Sequence, residues 1–407
     1  MALKIRNPQS LPLFLMPLRE PRFRSLWTAN LISNIGTWMQ QMGASWLMAS
    51  LTSSAMMVSL VQTANTIPMF FIAIPAGVFA DLNDKRKVLL FSQTFMAMAA
   101  FLLGVMVYYD KVGPWELLFF VFLLAMGSAM NMPAWQSAVS ALMKDPLDLP
   151  QMASLNNMSF NLGRSVGPAL AGFLFAWMGA AWLFLINAAS FIGVIWVFVK
   201  WSREKRTEEP AQGTFWAALN EGFQICRSSQ RFKFILIRSF SFFFFGTSLW
   251  SLLPLIARDV LRQTSSGFGF MMACLGVGAV IAAILLPYFR QKRDPTQVIE
   301  FSTFVFAVSS SIVAKSGNYA LTCFVLVACG MTWAAMVSQL NAAAQVTFPM
   351  QVRSRALAIY FVVFYFALGI GSLVFGKIAE MTSVQMAIWI ASGGLLASLP
   401  ILRKVRL

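Results

Sequence analysis

The sequence has 407 residues, 58% of them hydrophobic and only 11% charged, with a mean hydropathy of +0.69. Soluble domains of comparable length carry far more charge on their surfaces, so this is an integral membrane protein. No histidine is present, which excludes imidazole catalysis, a Ser-His-Asp triad and His-ligated zinc; no other catalytic or metal-binding set can be assembled, and neither an enzyme nor a metal or cofactor is expected.

The first 24 residues contain Lys4 and Arg6, but Pro8, Pro12, Pro17 and Pro21 interrupt any apolar run. No small-residue cleavage site follows, so this cytoplasmic segment is not expected to be a removable signal peptide. A spanning helix needs about 20 apolar residues, because the hydrocarbon core is about 30 Å thick and each residue rises about 1.5 Å. That rule predicts spans at 25–49, 56–80, 88–109, 114–141, 152–177 and 180–200, then at 234–257, 266–288, 297–314, 319–345, 355–379 and 384–402. The expected fold class is therefore all-α and membrane-embedded, with twelve transmembrane helices in two pseudo-symmetric six-helix bundles at 25–201 and 233–403. Between them lies the longest polar stretch, a cytoplasmic linker at 202–232 that begins with the charges of Arg203 to Glu209 and the helix breaker Pro210. Within it, Phe215, Leu219, Gly222, Phe223 and Cys226 fall at helical spacing and predict a short amphipathic helix at the interface. Residues 404–407 form a cytoplasmic tail. Cys226, Cys274, Cys323 and Cys329 make no CxxC pair and read as small apolar fillers.

The net charge of +16 would suggest nucleic acid in a soluble protein. Its distribution gives another reading. Of the 31 basic residues, 24 fall in the termini, the linker and the alternate loops that share their side. Only Lys111, Arg258, Arg262, Lys315 and Lys377 lie opposite, and Arg164 and Arg238 fall inside spans. Basic residues accumulate on the cytoplasmic side, so both termini are expected inside and no nucleic-acid partner is expected.

The halves echo each other. Gly167-Pro168-Ala169-Leu170-Ala171-Gly172 in the fifth span matches Gly371-Ser372-Leu373-Val374-Phe375-Gly376 in the eleventh, and these small residues are expected at helix-packing contacts. Lys85, Arg86 and Lys87 before the third span have counterparts in Arg290, Lys292 and Arg293 before the ninth. Related halves that rock about a midplane site are the usual basis of alternating access, so the repetition points to a transporter.

Arg164 stands at membrane depth, where insertion costs about 2.5 to 3.5 kcal/mol, and something must satisfy it. With Asn157, Asn161 and Pro168 it forms one polar stripe on the fifth helix. It either binds an anionic group of a substrate, pairs with an acid in a proton cycle, or bonds to neighbouring backbone carbonyls. Asn30, Asn34, Trp38, Gln41 and Ser45 form a second stripe on the first helix. A cavity walled by these stripes would be uncharged, amide-lined and aromatic-rimmed, suited to a bulky amphiphile. The run Phe242 to Phe245 is expected on the lipid-facing surface.

Gly77-Val78-Phe79-Ala80-Asp81-Leu82-Asn83-Asp84-Lys85-Arg86-Lys87 resembles the loop signature of the major facilitator superfamily, with Leu82 where the pattern has a basic residue and Asp84 where it has a second glycine. The resemblance implies that Gly77, Asp81, Lys85 and Arg86 belong to a coupling or gating loop that latches the halves on the cytoplasmic side. It also implies that helices one, four, seven and ten line the pathway, so that Asn131 and Gln136 in the fourth span, Ser248 and Trp250 in the seventh, and Gln339 and Asn341 in the tenth would complete the cavity wall. Asn131-Met132-Pro133-Ala134-Trp135-Gln136, the segment from Asn156 to Gly172, and Arg353-Ser354-Arg355-Ala356-Leu357 resemble the branch that includes the enterobactin exporter and macrolide efflux proteins. That likeness implies a monomeric multi-pass protein of the bacterial cytoplasmic (inner) membrane. Such a protein would export a siderophore, antibiotic or other hydrophobic metabolite by proton antiport. Of the acids near spans, Asp81, Glu300 and Glu380, Asp81 is the first choice for the proton-linked group. An importer of the same fold is the alternative, and a membrane receptor or enzyme a more distant one.

Overall fold

The computed structural model describes residues 13–141, 149–200, 229–348 and 350–403. The expected linker helix, from Phe215 to Cys226, and the tail at 404–407 lie outside the described residues. Among those described there is no strand and there are twelve long helices: α1 (Pro21–Leu51), α2 (Ala55–Leu82), α3 (Lys85–Tyr108), α4 (Pro114–Ala141), α5 (Leu149–Met178), α6 (Ala180–Lys200), α7 (Gln230–Leu255), α8 (Ser265–Lys292), α9 (Pro295–Lys315), α10 (Tyr319–Val346), α11 (Met350–Met381) and α12 (Val384–Arg403). Nine carry an apolar stretch long enough to cross a bilayer; α12 has a shorter one. The two that fall short, α1 and α5, are those whose apolar runs are broken by the amide stripes and Arg164.

Local chemistry sets the helix ends. A 3₁₀ turn at Leu13–Arg19 ends at Glu20, and Pro21 opens α1, where its missing N–H costs nothing. Asp84 accepts from the Arg86 N–H at 2.9 Å and Asp294 from the Thr296 N–H at 2.8 Å, so α3 and α9 start with the same cap. Asp84, the departure from the loop signature, thus has a structural use. A single residue, Gly179, joins α5 to α6 at φ +86°, a conformation that strains any residue with a Cβ. After Pro254, which has no N–H for the carbonyl of Trp250, α7 widens into a π turn at Ile256–Val260.

Packing repeats across the halves. In the first, α1 lies against α5 and α6, α3 against α4 and α6, and α2 against α4. In the second, α7 lies against α11 and α12, α9 against α10 and α12, and α8 against α10. The halves join along two seams, α2 on α11 and α5 on α8, which this symmetry exchanges.

Both seams are backbone contacts at small residues. A Cβ on Gly172 would fall 2.9 Å from the Gly269 Cα, and one on Gly376 would overlap the Ser59 hydroxyl at 1.7 Å. Ser372 donates to the Ser59 carbonyl at 2.6 Å, and Thr63 to the Gly369 carbonyl at 3.1 Å. These contacts lie in the parts of the helices remote from the termini.

At that end the second half holds the α1–α2 turn by both helix termini. Glu380 of α11 accepts from the Met56 N–H and the Ser54 hydroxyl, each at 3.1 Å, at the start of α2. Arg258 donates to the Thr52 carbonyl at the end of α1 at 2.9 Å, while Asp259 shares its guanidinium. An anion at the N-terminus and a cation at the C-terminus are the signs that the helix dipoles favour.

The Phe242–Phe245 run departs from expectation. Phe242 and Phe243 are fully buried, with rings 5.2 Å from Phe306 and 4.4 Å from Phe364 respectively, and both stand on Trp333. Phe244 and Phe245 are half-buried and touch Phe375. The reason is that α7 sits centrally in its half, so no lipid-facing side is broad enough to hold four successive rings. Cys323 and Cys329 are buried free thiols and Cys274 a half-buried one; Cys226 lies outside the described residues.

Two outcomes follow from the seams. Leucine at Gly172 should disfavour closure of the end remote from the termini by about 1–3 kcal/mol, the usual cost of overpacking. Spin labels at positions 50 and 382 should then report a longer distance than in the parent protein. Glu380→Gln, which replaces the anion at the start of α2 by a neutral acceptor, should lengthen the same label distance.

Candidate functional site

The polar stripe of α1 meets α5 not on the stripe of Asn157, Asn161 and Arg164 but on the face beside it, which carries Asn156, Ser159 and Phe160. Gly163 and Gly167 face the α1 backbone so closely that a Cβ would lie 2.9 Å from Asn34 and 2.7 Å from Trp38. Asn30 donates to Asn156 at 3.1 Å and Asn34 to Ser159 at 2.9 Å, while Trp38 packs edge-on to Phe160 at 5.6 Å. Asn156 also accepts from the Trp135 indole at 3.3 Å, which ties α4 to the same node. Gln41 is half-buried on the same face of α1. On another face of the same turns α5 is open: Asn157 and Asn161 are exposed, and Asn161 donates to the Asn157 carbonyl at 2.9 Å.

Arg164 stands one turn further along. Its Nε and Nη2 are buried and meet no acceptor, and its guanidinium carbon lies 5.7 Å from the centre of the Trp250 ring on α7. The other arginine within a span, Arg238, is matched by Glu300 at 3.8 Å. Trp250 is half-buried, leaves its own indole N–H without an acceptor, and packs on Trp333 at 5.4 Å. Trp333 is a member of this wall that the amide and arginine signals could not reveal.

The remaining expected cavity residues have other neighbours. Asn131 accepts from Gln93 at 3.0 Å and Ser92 at 3.3 Å and so faces α3. Gln136 is exposed on α4. Ser248 is buried and turns back to the Phe245 carbonyl at 2.8 Å. Gln339 accepts from Arg290 at 3.0 Å, and Asn341 accepts from Gln345 one turn on. The structure thus packs Asn30, Asn34 and Trp38 against α5, leaves Asn157 and Asn161 exposed on the face beside them, and sets Arg164 against Trp250.

In the loop between α2 and α3, Arg86 donates to the carbonyls of Phe198 and Val199, both at 2.7 Å, satisfying the end of α6 with a cation. Lys85 opens α3. Gly77 and Asp81 lie on the last turns of α2, and the side chains of residues 73–82 are outside the described set. Of the packing residues, Gly167 meets α1, while the Pro168 carbonyl and Gly172 meet Gly269. Gly371 meets the Phe244 carbonyl and Gly376 meets Ser59.

Residues 14–407 match the family described as transmembrane secretion effector. The chain is 24% identical to the staphyloferrin A transporter of Staphylococcus aureus, over 74% of this chain and 76% of that protein. It is 22% identical to macrolide efflux protein A of Streptococcus pyogenes, over 73% and 75%. Identity to the enterobactin exporter of Shigella flexneri is 23%, over 73% and 70%. Among solved structures, the nucleoside transporter NupG superposes with a TM-score of 0.71 at 15% identity, covering 94% of this chain and 98% of that one. The match to the family spans nearly the whole chain, and the chain therefore belongs to the transmembrane secretion effector family of the major facilitator superfamily, as a multi-pass membrane transporter and not an enzyme.

Proposed function

We propose that this transporter exports a small amphiphilic molecule, such as a siderophore, an antibiotic or a related metabolite, by alternating access and in exchange for protons. The observation that carries the reading is the unequal packing along the bundle. The halves are pinned together at the end remote from the termini by the α2–α11 and α5–α8 seams, while α5 exposes Asn157 and Asn161 toward the other end. A solute would enter the crevice beside α1, α5 and α7 from the side of the termini. Rocking on the two seams would then expose it on the opposite side. The segregation of basic residues supports a cytoplasmic location for the termini, which makes entry from that side the loading step of an exporter. Export as the direction is further supported by relatives named for efflux and export.

Asp81 is the proposed proton-linked group. Support comes from the engagement of other acids at span ends: Glu300 faces Arg238, Glu380 is committed to the start of α2, and Glu116 accepts from the Gly113 N–H. In proteoliposomes holding the purified protein, labelled siderophores and dyes should move against an imposed proton gradient. Asp81→Asn should lose that dependence while solute-for-solute exchange persists. Flux indifferent to the gradient for every solute tried would contradict proton exchange, and solute moving together with protons would indicate import.

A further inference from the structure

We infer that Arg164 and Trp250 together form a subsite for an anionic oxygen group of the transported molecule, a carboxylate or phenolate, and that the two side chains cover each other when the subsite is empty. The inference rests on the transport reading above and adds the charge and shape of the solute to it. Two neighbouring side chains here hold three buried donors without an acceptor: Nε and Nη2 of Arg164 and the indole N–H of Trp250. A buried donor left unmade is costly, more so when charged, and folded chains rarely keep several in one place unless an outside acceptor uses them. The chain can supply an internal acid where it needs one, as Glu300 does for Arg238. At Arg164 it supplies only the face of an indole at 5.7 Å.

Position along α5 gives the subsite its place in the cycle. Asn157 and Asn161 are exposed below Arg164, whereas beyond it Ser165 and Gly172 are already in the α5–α8 seam, against Gly276 and Gly269. Arg164 therefore stands at the apex of the crevice, where the halves first touch. Its partner belongs to the other half, so an anion held by both would join α5 to α7. A planar guanidinium fork offers two parallel bonds to a carboxylate, and the indole adds a third donor from across the crevice. Trp250 leans on Trp333, which is set against Phe242, Phe243 and Phe306, so the anion arrives beside a rigid aromatic shelf suited to a flat apolar body. When the solute has left, the indole face still offers the cation a partner, and the empty carrier can reorient without a bare charge in the membrane.

The test uses two probes of the same shape and different charge, 2-naphthoate and 2-naphthamide, with the full-length protein in lipid nanodiscs and chloride-free buffer. Equilibrium dialysis should show naphthoate binding at least about tenfold more tightly than naphthamide, as a charge-assisted fork requires. Arg164→Gln should erase the preference while naphthamide binding stays. Trp250→Phe keeps the ring and loses the donor, and should lower naphthoate affinity severalfold. It serves as the independent variant if Arg164→Gln does not fold. Absence of preference in the parent protein, no binding of either probe, or preference retained in Arg164→Gln or undiminished in Trp250→Phe would overturn the subsite. Solute flux in proteoliposomes without naphthoate preference would remove the subsite and leave transport standing; preference without flux of any solute would do the reverse.

Discussion

Two helices in hydrocarbon gain nothing by burying apolar surface against each other, because lipid is as apolar as a neighbouring leucine. What joins the halves of this transporter is instead the close approach of backbone at small residues, Gly172 to Gly269 on one seam and Gly376 to Ser59 on the other. Contacts of this kind are short-ranged and need no deep interlocking of side chains. They allow a rigid seam at one end of the bundle and separation at the other, and the remaining features of the pathway depend on that freedom.

The second requirement is that polar groups at membrane depth find partners. On α1 most of the stripe does so within the first half, where Asn30 and Asn34 bond to α5 and sew the two helices together. Arg238 is matched within the second half. Arg164 reaches across to the face of Trp250, and this contact coincides with the boundary between the packed and the open parts of α5. A mechanical boundary and an electrostatic deficit at the same residue are what a carrier needs if loading is to bias the motion of its halves. At the remote end, Glu380 and Arg258 act on helix termini and not on each other, so the turn after α1 is held through backbone dipoles.

The number of spans, the stripes on α1 and α5 and the repeated small residues were legible in the sequence because lipid makes them local properties. A run of apolar residues, a period of 3.6 and an isolated arginine mean the same wherever the neighbours are. The loop signature carried the family, and Arg86 does anchor a helix end, though it reaches the carbonyls of α6. The clamp of Glu380 and Arg258 was not legible, since its partners are separated by 324 and 206 residues and involve backbone atoms with no sequence signature. The Phe242–Phe245 run was misread because composition alone does not say which helix is central in its half. Asn131 and Gln339 were expected in the cavity through the resemblance, which puts the fourth and tenth helices on the pathway, and their amides bond to Gln93 and Arg290.

In the proposed cycle the crevice beside α5 opens toward the termini while the opposite end is closed. A single cysteine replacing Asn161, in a background lacking the natural cysteines, measures this directly when a bulky membrane-impermeant maleimide is applied separately to each side of sealed, uniformly oriented vesicles. Rapid modification is expected from the side that bears the termini and much slower modification from the other. Protection from both sides, or modification from the opposite side alone, would contradict it.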